Sequence, residues 1–205
     1  MIGIINYNAG NCGSIFNMIK KIGFESKILN HPDETIHVQL TKLILPGVGA
    51  FDYGIQELHQ RGWINFLNEK VLLEKIPVLG ICLGMQLMTH SSEEGTMKGL
   101  SWIDAHVKRF NFHTAEFKVP HIGWNYVQPV QSSVLFNHFH ELPRFYFVHS
   151  YYVCCNHIQD IAAKTEYGGI IFTSAFQKDN IFGVQFHPEK SHVFGMQVFR
   201  NFLEL

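Results

Sequence analysis

The spacing of apolar residues changes period several times along the chain, and each change predicts an element. Ile2, Ile4 and Ile5 in "MIGIIN" make a short apolar run, which reads as a strand. In the following "GNCGSIFNMIKKIGF", Ile15, Met18, Ile19 and Ile22 recur at the spacing of one helical face. The order then repeats: "ESKIL" and "TKLILPG" read as strands, "GIQELHQRGWINFLNEKVLLEK" as helical and "IPVLGI" as a strand. Strands alternating with helices predict a mostly parallel sheet flanked by helices. In the second half the pattern turns to "HVKRFNF", "FYFVHSYYV", "GGIIFTSAFQ" and "NIFGVQF". These aromatic and β-branched runs, separated by Gly, Asn and Asp, predict antiparallel or mixed strands packed beside the first half. The closing "SHVFGMQVFRNFLEL" places Val193, Met196, Phe199, Phe202 and Leu203 at helical spacing. With no repeat, low-complexity tract or linker, residues 1–205 are expected to form one α/β domain.

The most informative stretch is "VLGICLGMQL", residues 78–87. Val78, Leu79 and Ile81 suit a strand, and a helix-forming run, Leu83 to Met88, follows Cys82. Cys82 therefore falls on a strand-to-helix turn between two glycines, the cysteine counterpart of a nucleophile elbow. A free thiol is mostly protonated at neutral pH, so a nucleophilic Cys82 needs a base. Of the thirteen histidines, His187 in "GVQFHPEKS" has the most telling surroundings: it ends an apolar strand, precedes Pro188 and has a carboxylate, Glu189, two residues on. Pro188 biases His187 to extended geometry, where residues i and i+2 point the same way, so Glu189 is expected to orient the imidazole. Attack on a carbonyl also needs donors for the developing oxyanion. "LILPGVGAF" offers a turn for this: Pro46 fixes the chain, Gly47 and Gly49 let the peptides around Val48 rotate, and the Leu83 N–H supplies a second donor. Such a turn can be switched off by a peptide flip.

Composition narrows the remaining classes. A 46% hydrophobic and 16% charged chain of net charge −1 is globular and lacks a nucleic-acid footprint. The opening "MIGIINYNAGNCG" has no basic region followed by a long apolar run, and no stretch reaches membrane-span length, so a soluble cytoplasmic protein is expected. Cys12, Cys82, Cys154 and Cys155 show neither a disulfide framework nor zinc-ligand spacing, and Cys154 and Cys155 are expected to be buried small hydrophobes. A dinucleotide fingerprint is incomplete in "NAGNCGS", and a zinc deaminase would need a P-C-x-x-C that is absent. An α/β-hydrolase would normally place its acid before the histidine rather than after it. Neither metal nor cofactor is expected.

"GICLGMQL", "PGVG" and "FHPEKS", in this order, resemble the class I (triad) glutamine amidotransferases. "KVPHIGWN" at 118–125 and "YFVHSYY" at 146–152 narrow the likeness, over essentially the whole chain, to the glutaminase subunits of imidazole glycerol phosphate synthases. The resemblance implies a flavodoxin-like fold and hydrolysis of L-glutamine to glutamate and ammonia through a thioester on Cys82, with His187 as base and acid and Glu189 as its orienter. It implies a (β/α)8-barrel cyclase partner, forming a heterodimer, that uses the ammonia and the ribulosyl nucleotide PRFAR to make imidazole glycerol phosphate and AICAR in histidine biosynthesis. By motif, Gln86 and Glu94 would hold the glutamine head group, with the backbone of His149, Ser150 and Tyr151. Val48 and Leu83 would supply oxyanion N–H groups, and Trp124, Tyr146 and Lys190 would face the partner. In "NYNAGN", Asn6 and Asn8 stand where the family commonly has D-Y-G, which bears on the partner more than on the triad. The alternative implied is a paralogous pair that aminates a surface-polysaccharide sugar.

Overall fold

The computed structural model describes residues 1–112, 116–130 and 133–205. The first half runs β1 (Ile2–Ile5), α1 (Cys12–Lys21), β2 (Ser26–Leu29), β3 (Lys42–Leu45), α2 (Phe51–Gln60), α3 (Trp63–Asn68), β4 (Val78–Ile81) and α4 (Leu83–Leu87). The second half adds β5 (Ser91–Ser92), β6 (Ala105–Arg109), β7 (His121–Tyr126), β8 (Gln128–Pro129), β9 (Arg144–His149), β10 (Tyr151–Cys155), β11 (Ile161–Tyr167), β12 (Ile170–Lys178), β13 (Ile181–Val184) and α5 (His192–Leu203).

The main sheet has the order β2-β1-β3-β4-β13-β12-β10-β6-β5, and its stretch from β2 to β13 is parallel throughout. That stretch has the flavodoxin-like order, in which ligands bind beyond the carboxyl ends of the strands. The second-half strands do more than pack beside the first half, as expected from sequence: they extend the same sheet. β13 inserts parallel to β4, and β12 then pairs antiparallel with β13. Alternate strand residues face opposite layers. Ile4, Ile44 and Leu79 join α1 and α5 in one core cluster, whereas Ile5, Leu45 and Val78 join α2, α3 and α4 in the other.

Four sequence expectations need correction. The helical run at 54–75 is broken, because Gly62 takes φ 73° and starts a new helix, α3. The run "FYFVHSYYV" is two strands: β9 pairs only with β7 in a separate two-stranded ribbon, whereas β10 joins the main sheet. In α5, Val193 is 70% exposed, and the buried stripe is Gly195, Val198, Phe199, Phe202 and Leu203. The read spacing of three drifts around a helix of 3.6 residues per turn, so its first member lands outside. Cys154 and Cys155 are half-buried rather than buried, and all four cysteines are free. Among the described residues no helix is long and apolar enough to cross a membrane, and no group of three or more His, Cys, Asp or Glu could hold a metal ion.

Candidate active site

Three neighbouring parallel strands, β3, β4 and β13, deliver the sequence-predicted groups to one end of the sheet. The Pro46–Gly49 turn follows β3, Cys82 follows β4, and His187 lies just past β13. Cys82 sits at φ 53°, ψ −109°, a strained conformation for a residue with a Cβ, and it is buried. Its N–H donates to the Val184 carbonyl at 2.8 Å, tying the elbow to β13. The flanking glycines permit close approach rather than rotation. A Cβ on Gly80 would meet the Met85 backbone at 2.8 Å, and one on Gly84 would overlap the Leu45 carbonyl oxygen.

His187 is extended at φ −102°, ψ 93°, as Pro188 requires. Glu189, however, is not extended: Pro188–Lys190 forms a single 3-10 turn. The turn, not strand alternation, brings the carboxylate round, and His187 Nδ1 donates to Glu189 Oε1 at 2.8 Å with both side chains almost wholly buried. Burial alone would lower the His187 pKa. The negative charges of Cys82 and Glu189 outweigh it and raise the pKa well above the ordinary histidine value. Nε2 is buried without a hydrogen-bond partner. The arrangement can therefore hold a thiolate beside an imidazolium, or return that proton to a leaving group.

The oxyanion turn is in the switched-off arrangement that its glycines allow. The Leu83 N–H is not free but donates to the Gly47 carbonyl at 3.3 Å. In a trans peptide N–H and C=O point in opposite directions, so the Val48 N–H is turned away from that side. Gly47 is packed against Leu83, Gly84 and Tyr7, Gly49 has φ 111°, and the Tyr7 hydroxyl donates to the Pro46 carbonyl at 2.6 Å.

Beside the sulfur lies a cavity of about 350 Å³. Every predicted glutamine-pocket residue lines it, namely Gln86, Glu94, His149, Ser150 and Tyr151, together with Val48, Gly49, Cys82 and Leu83. Pro120 and Val148 line it too and were not anticipated. Glu94 is held by accepting the Phe51 N–H at the start of α2 at 2.9 Å, while Asp52 accepts the Thr96 and Met97 N–H groups, locking that loop to α2. The predicted partner set also comes together. Trp124 on β7 is 43% exposed, stands edge-on to Tyr146 with centroids 6.4 Å apart and stacks on His192, and Lys190 Nζ sits 5.7 Å from the Tyr146 ring centre. Trp124 is thus not core. Tyr146 connects this surface to the triad, because its carbonyl accepts the His187 N–H at 2.9 Å.

A model of the class I glutamine amidotransferase family matches residues 4–205. The chain belongs to that family. Full-length relatives of this amidotransferase include imidazole glycerol phosphate synthase subunit HisH 2 of Methanococcus maripaludis, 54% identical over 100% of the chain and 99% of the relative. Subunit HisH 2 of Pseudomonas aeruginosa is 47% identical and subunit HisH of Leptospira interrogans 45%, each covering 100% of both chains. These likenesses place the amidotransferase in the HisH family. Among solved structures, a glutamine amidotransferase (TM-score 0.73, 16% identity, 99% of this chain and 97% of that one) shares the fold. A chain of PurLQS from Thermotoga maritima shares it as well (TM-score 0.70, 19% identity, 99% of this chain and 97% of that one).

The amidotransferase accommodates its two unusual asparagines. Asn8 has φ 65°, a left-handed conformation that asparagine tolerates, and its side chain donates to Glu57 at 3.0 Å. Asn6 donates to Asn30 at 2.8 Å and its Oδ1 accepts the Asn8 N–H at 3.3 Å. Sequence reasoning missed Gln185 and His121. Gln185 stands two residues before His187 in "GVQFHPEKS", and His121 lies inside "KVPHIGWN", so strand alternation and the family motif were the available signals.

His121 and His149 form a buried pair, Nδ1 to Nε2 at 3.0 Å. Desolvation lowers His121 to about 4, and desolvation, chiefly, lowers His149 to about 3. Both imidazoles stay neutral when folded yet take up protons when unfolded, so the unfolded chain binds more protons between the ordinary histidine pKa and these values. Stability is therefore expected to fall as the pH drops from about 6.5 towards 4. In chemical denaturation across that window, His121→Phe is expected to show a shallower decline than the parent, and equal slopes would contradict the assignment.

Proposed function

We propose that this amidotransferase is the glutaminase subunit of an imidazole glycerol phosphate synthase, releasing ammonia from L-glutamine for a (β/α)8-barrel cyclase that binds it as a heterodimer. The observation that carries the reading is Cys82 on its strained elbow, lining the cavity, with the buried His187–Glu189 pair beside it. Cys82, as thiolate, attacks the side-chain amide carbon. His187, holding the thiol proton, gives it to the leaving nitrogen, so ammonia departs and a thioester remains. The same imidazole then takes a proton from water, which cleaves the thioester to glutamate and restores Cys82. Glu189 keeps the ring in the tautomer that presents Nε2 to the sulfur.

In this reading Val48 and Leu83 stabilise the oxyanion only once the Gly47–Val48 peptide has turned over, because the Gly47 carbonyl occupies the Leu83 N–H. Without its partner the glutaminase is then nearly idle. Trp124, Tyr146 and Lys190 are the partner-facing surface, and the Tyr146–His187 backbone bond supports a route from that surface to the triad.

The test is glutamine hydrolysis by the chain alone and with the histidine-pathway cyclase of the same genome plus its nucleotide, with Cys82→Ala as blank. Stimulation by orders of magnitude, absent from the blank, is expected. Ammonia release unaffected by Cys82→Ala would overturn the reading. A second reading, supply of ammonia to a sugar-aminating barrel, is favoured by Asn6 and Asn8, which stand where the family commonly has an acid and a glycine. It predicts normal labelling of Cys82 by a glutamine analogue with no response to the histidine-pathway cyclase.

A further inference from the structure

The Cys82 sulfur has a neighbour with no part in the triad. Gln185, fully buried at the end of β13, directs Nε2 to Cys82 Sγ at 3.6 Å, within the range of an N–H···S hydrogen bond. An amide can turn over and offer its oxygen instead, so the point that matters is what fixes its direction. Gln185 Oε1 accepts from Gln86 Nε2 at 3.0 Å, and the other Gln86 N–H donates to the Tyr151 carbonyl at 3.0 Å. A backbone carbonyl only accepts. The Tyr151 oxygen therefore holds Gln86 with its nitrogen inward, and Gln86 in turn holds Gln185 with its oxygen outward and its N–H on the sulfur.

The same carbonyl orders a second arm. His149 Nδ1 donates to the Tyr151 carbonyl at 2.8 Å, which leaves Nε2 of this neutral ring as an acceptor for His121 Nδ1 at 3.0 Å. His121 Nε2 then accepts from Asn125 Nδ2 at 3.3 Å, and Asn125 Nδ2 also donates to the Glu166 carbonyl at 2.9 Å. Both ends of the arm are anchored on backbone carbonyls and agree on every direction. It runs from the β7–β9 ribbon, which carries Trp124 and Tyr146, to the wall of the cavity.

We propose that Gln185 is a catalytic residue whose Nε2–H stabilises the Cys82 thiolate, with Gln86, His149, His121 and Asn125 as positioning residues that keep that donor turned to the sulfur. The inference rests on Cys82 being the nucleophile. The triad removes the proton, and Gln185 lowers the energy of the anion left behind. This matters because burial without a donor would disfavour a thiolate. The other ionisable groups near the sulfur are His187, from the turn after β13, Tyr7, from the loop after β1, which burial keeps protonated, and Glu94, which lines the same cavity.

The experiment measures the pH profile of Cys82 alkylation by iodoacetamide, read peptide by peptide, beside kcat and KM for glutamine with the partner present. Burial pushes Cys12 up to about 11 and Cys155 up to about 12, so neither competes near neutrality. Gln185→Glu keeps the shape and still accepts from Gln86 but, when ionised, sets a negative charge rather than a donor against the sulfur. It is expected to slow alkylation at neutral pH and kcat by at least about tenfold, the scale of a hydrogen bond to a charged group, with KM moving much less. Gln185→Leu should act in the same direction. His121→Phe breaks the far arm and should shift the alkylation profile the same way by a smaller factor, whereas His121→Asn, which keeps a donor near the Nδ1 position, should lie closer to the parent. Folded Gln185 variants with the parental profile and kcat would overturn the proposal. If the Gln185 variants do not fold, a parental profile in His121→Phe overturns the positioning chain. Hydrolysis that survives Cys82→Ala would instead remove the nucleophile assignment beneath it.

Discussion

Glu189→Gln is expected to lower kcat for glutamine by about ten-thousandfold while leaving the fold in place, a magnitude taken from the loss of the orienting acid in other nucleophile–His–acid triads. The carboxylate accepts the Nδ1 proton of His187 at 2.8 Å and so leaves Nε2 to exchange a proton with the sulfur. A carboxamide at the same place can donate to Nδ1, which puts the ring proton on Nε2 and blocks it as a base. Glu189 Oε2 is buried without a hydrogen-bond partner, so this carboxylate is not repaid by a network of its own. Its retention in the interior is explained by the chemistry it serves, and the substitution should cost little stability. Steady-state hydrolysis with the partner present and a thermal melt check both halves. A kcat within tenfold of the parent would remove Glu189 from the triad.

Gly84→Ala is expected to be the more destructive change to the fold. Its methyl group would overlap the Leu45 carbonyl oxygen and lie 3.0 Å from that of Pro46. Both are backbone atoms at the end of β3, so α4 must lift off the sheet. Overpacking of this kind costs about 3 kcal/mol or more, and the displaced α4 would carry Gln86 and the elbow with it. Urea denaturation should show the loss, and the surviving protein should not hydrolyse glutamine. Gly13→Ala in α1 is the control: the nearest atom to its methyl is 3.9 Å away, so that change should be neutral or slightly stabilising. Equal effects at the two positions would contradict the account.

The sequence disclosed what depends on local chemistry. Gly-Ile-Cys-Leu-Gly after an apolar run announces an elbow because only a few residue patterns let a strand turn so sharply into a helix, and His187 and Glu189 are legible because Pro188 restrains the backbone between them. Long-range partners were less visible. Nothing in "LILPGVGAF" says that the Gly47 carbonyl will take the Leu83 N–H, since that bond depends on how closely β3 and β4 bring two turns together. Gln185 was passed over because a glutamine on a buried strand declares itself only when its amide partners, Gln86 and Cys82, are placed 99 and 103 residues away in the chain. The split of "FYFVHSYYV" at Ser150 was hidden for the opposite reason. Both halves suit a strand equally well, and only pairing decides that they belong to different sheets.

That split has a mechanical meaning. Ser150 is a joint: on one side the chain is riveted through β10 into the broad sheet, and on the other it runs into a narrow two-stranded lever whose outer surface carries Ile122, Trp124 and Tyr126. The cavity wall formed by His149, Ser150 and Tyr151 lies across this joint, with one side set by the ribbon and the other by the broad sheet. The shape of that wall therefore depends on how the ribbon packs on the sheet, and Phe145 and Phe147 of the ribbon, both wholly buried in the main core, set that packing.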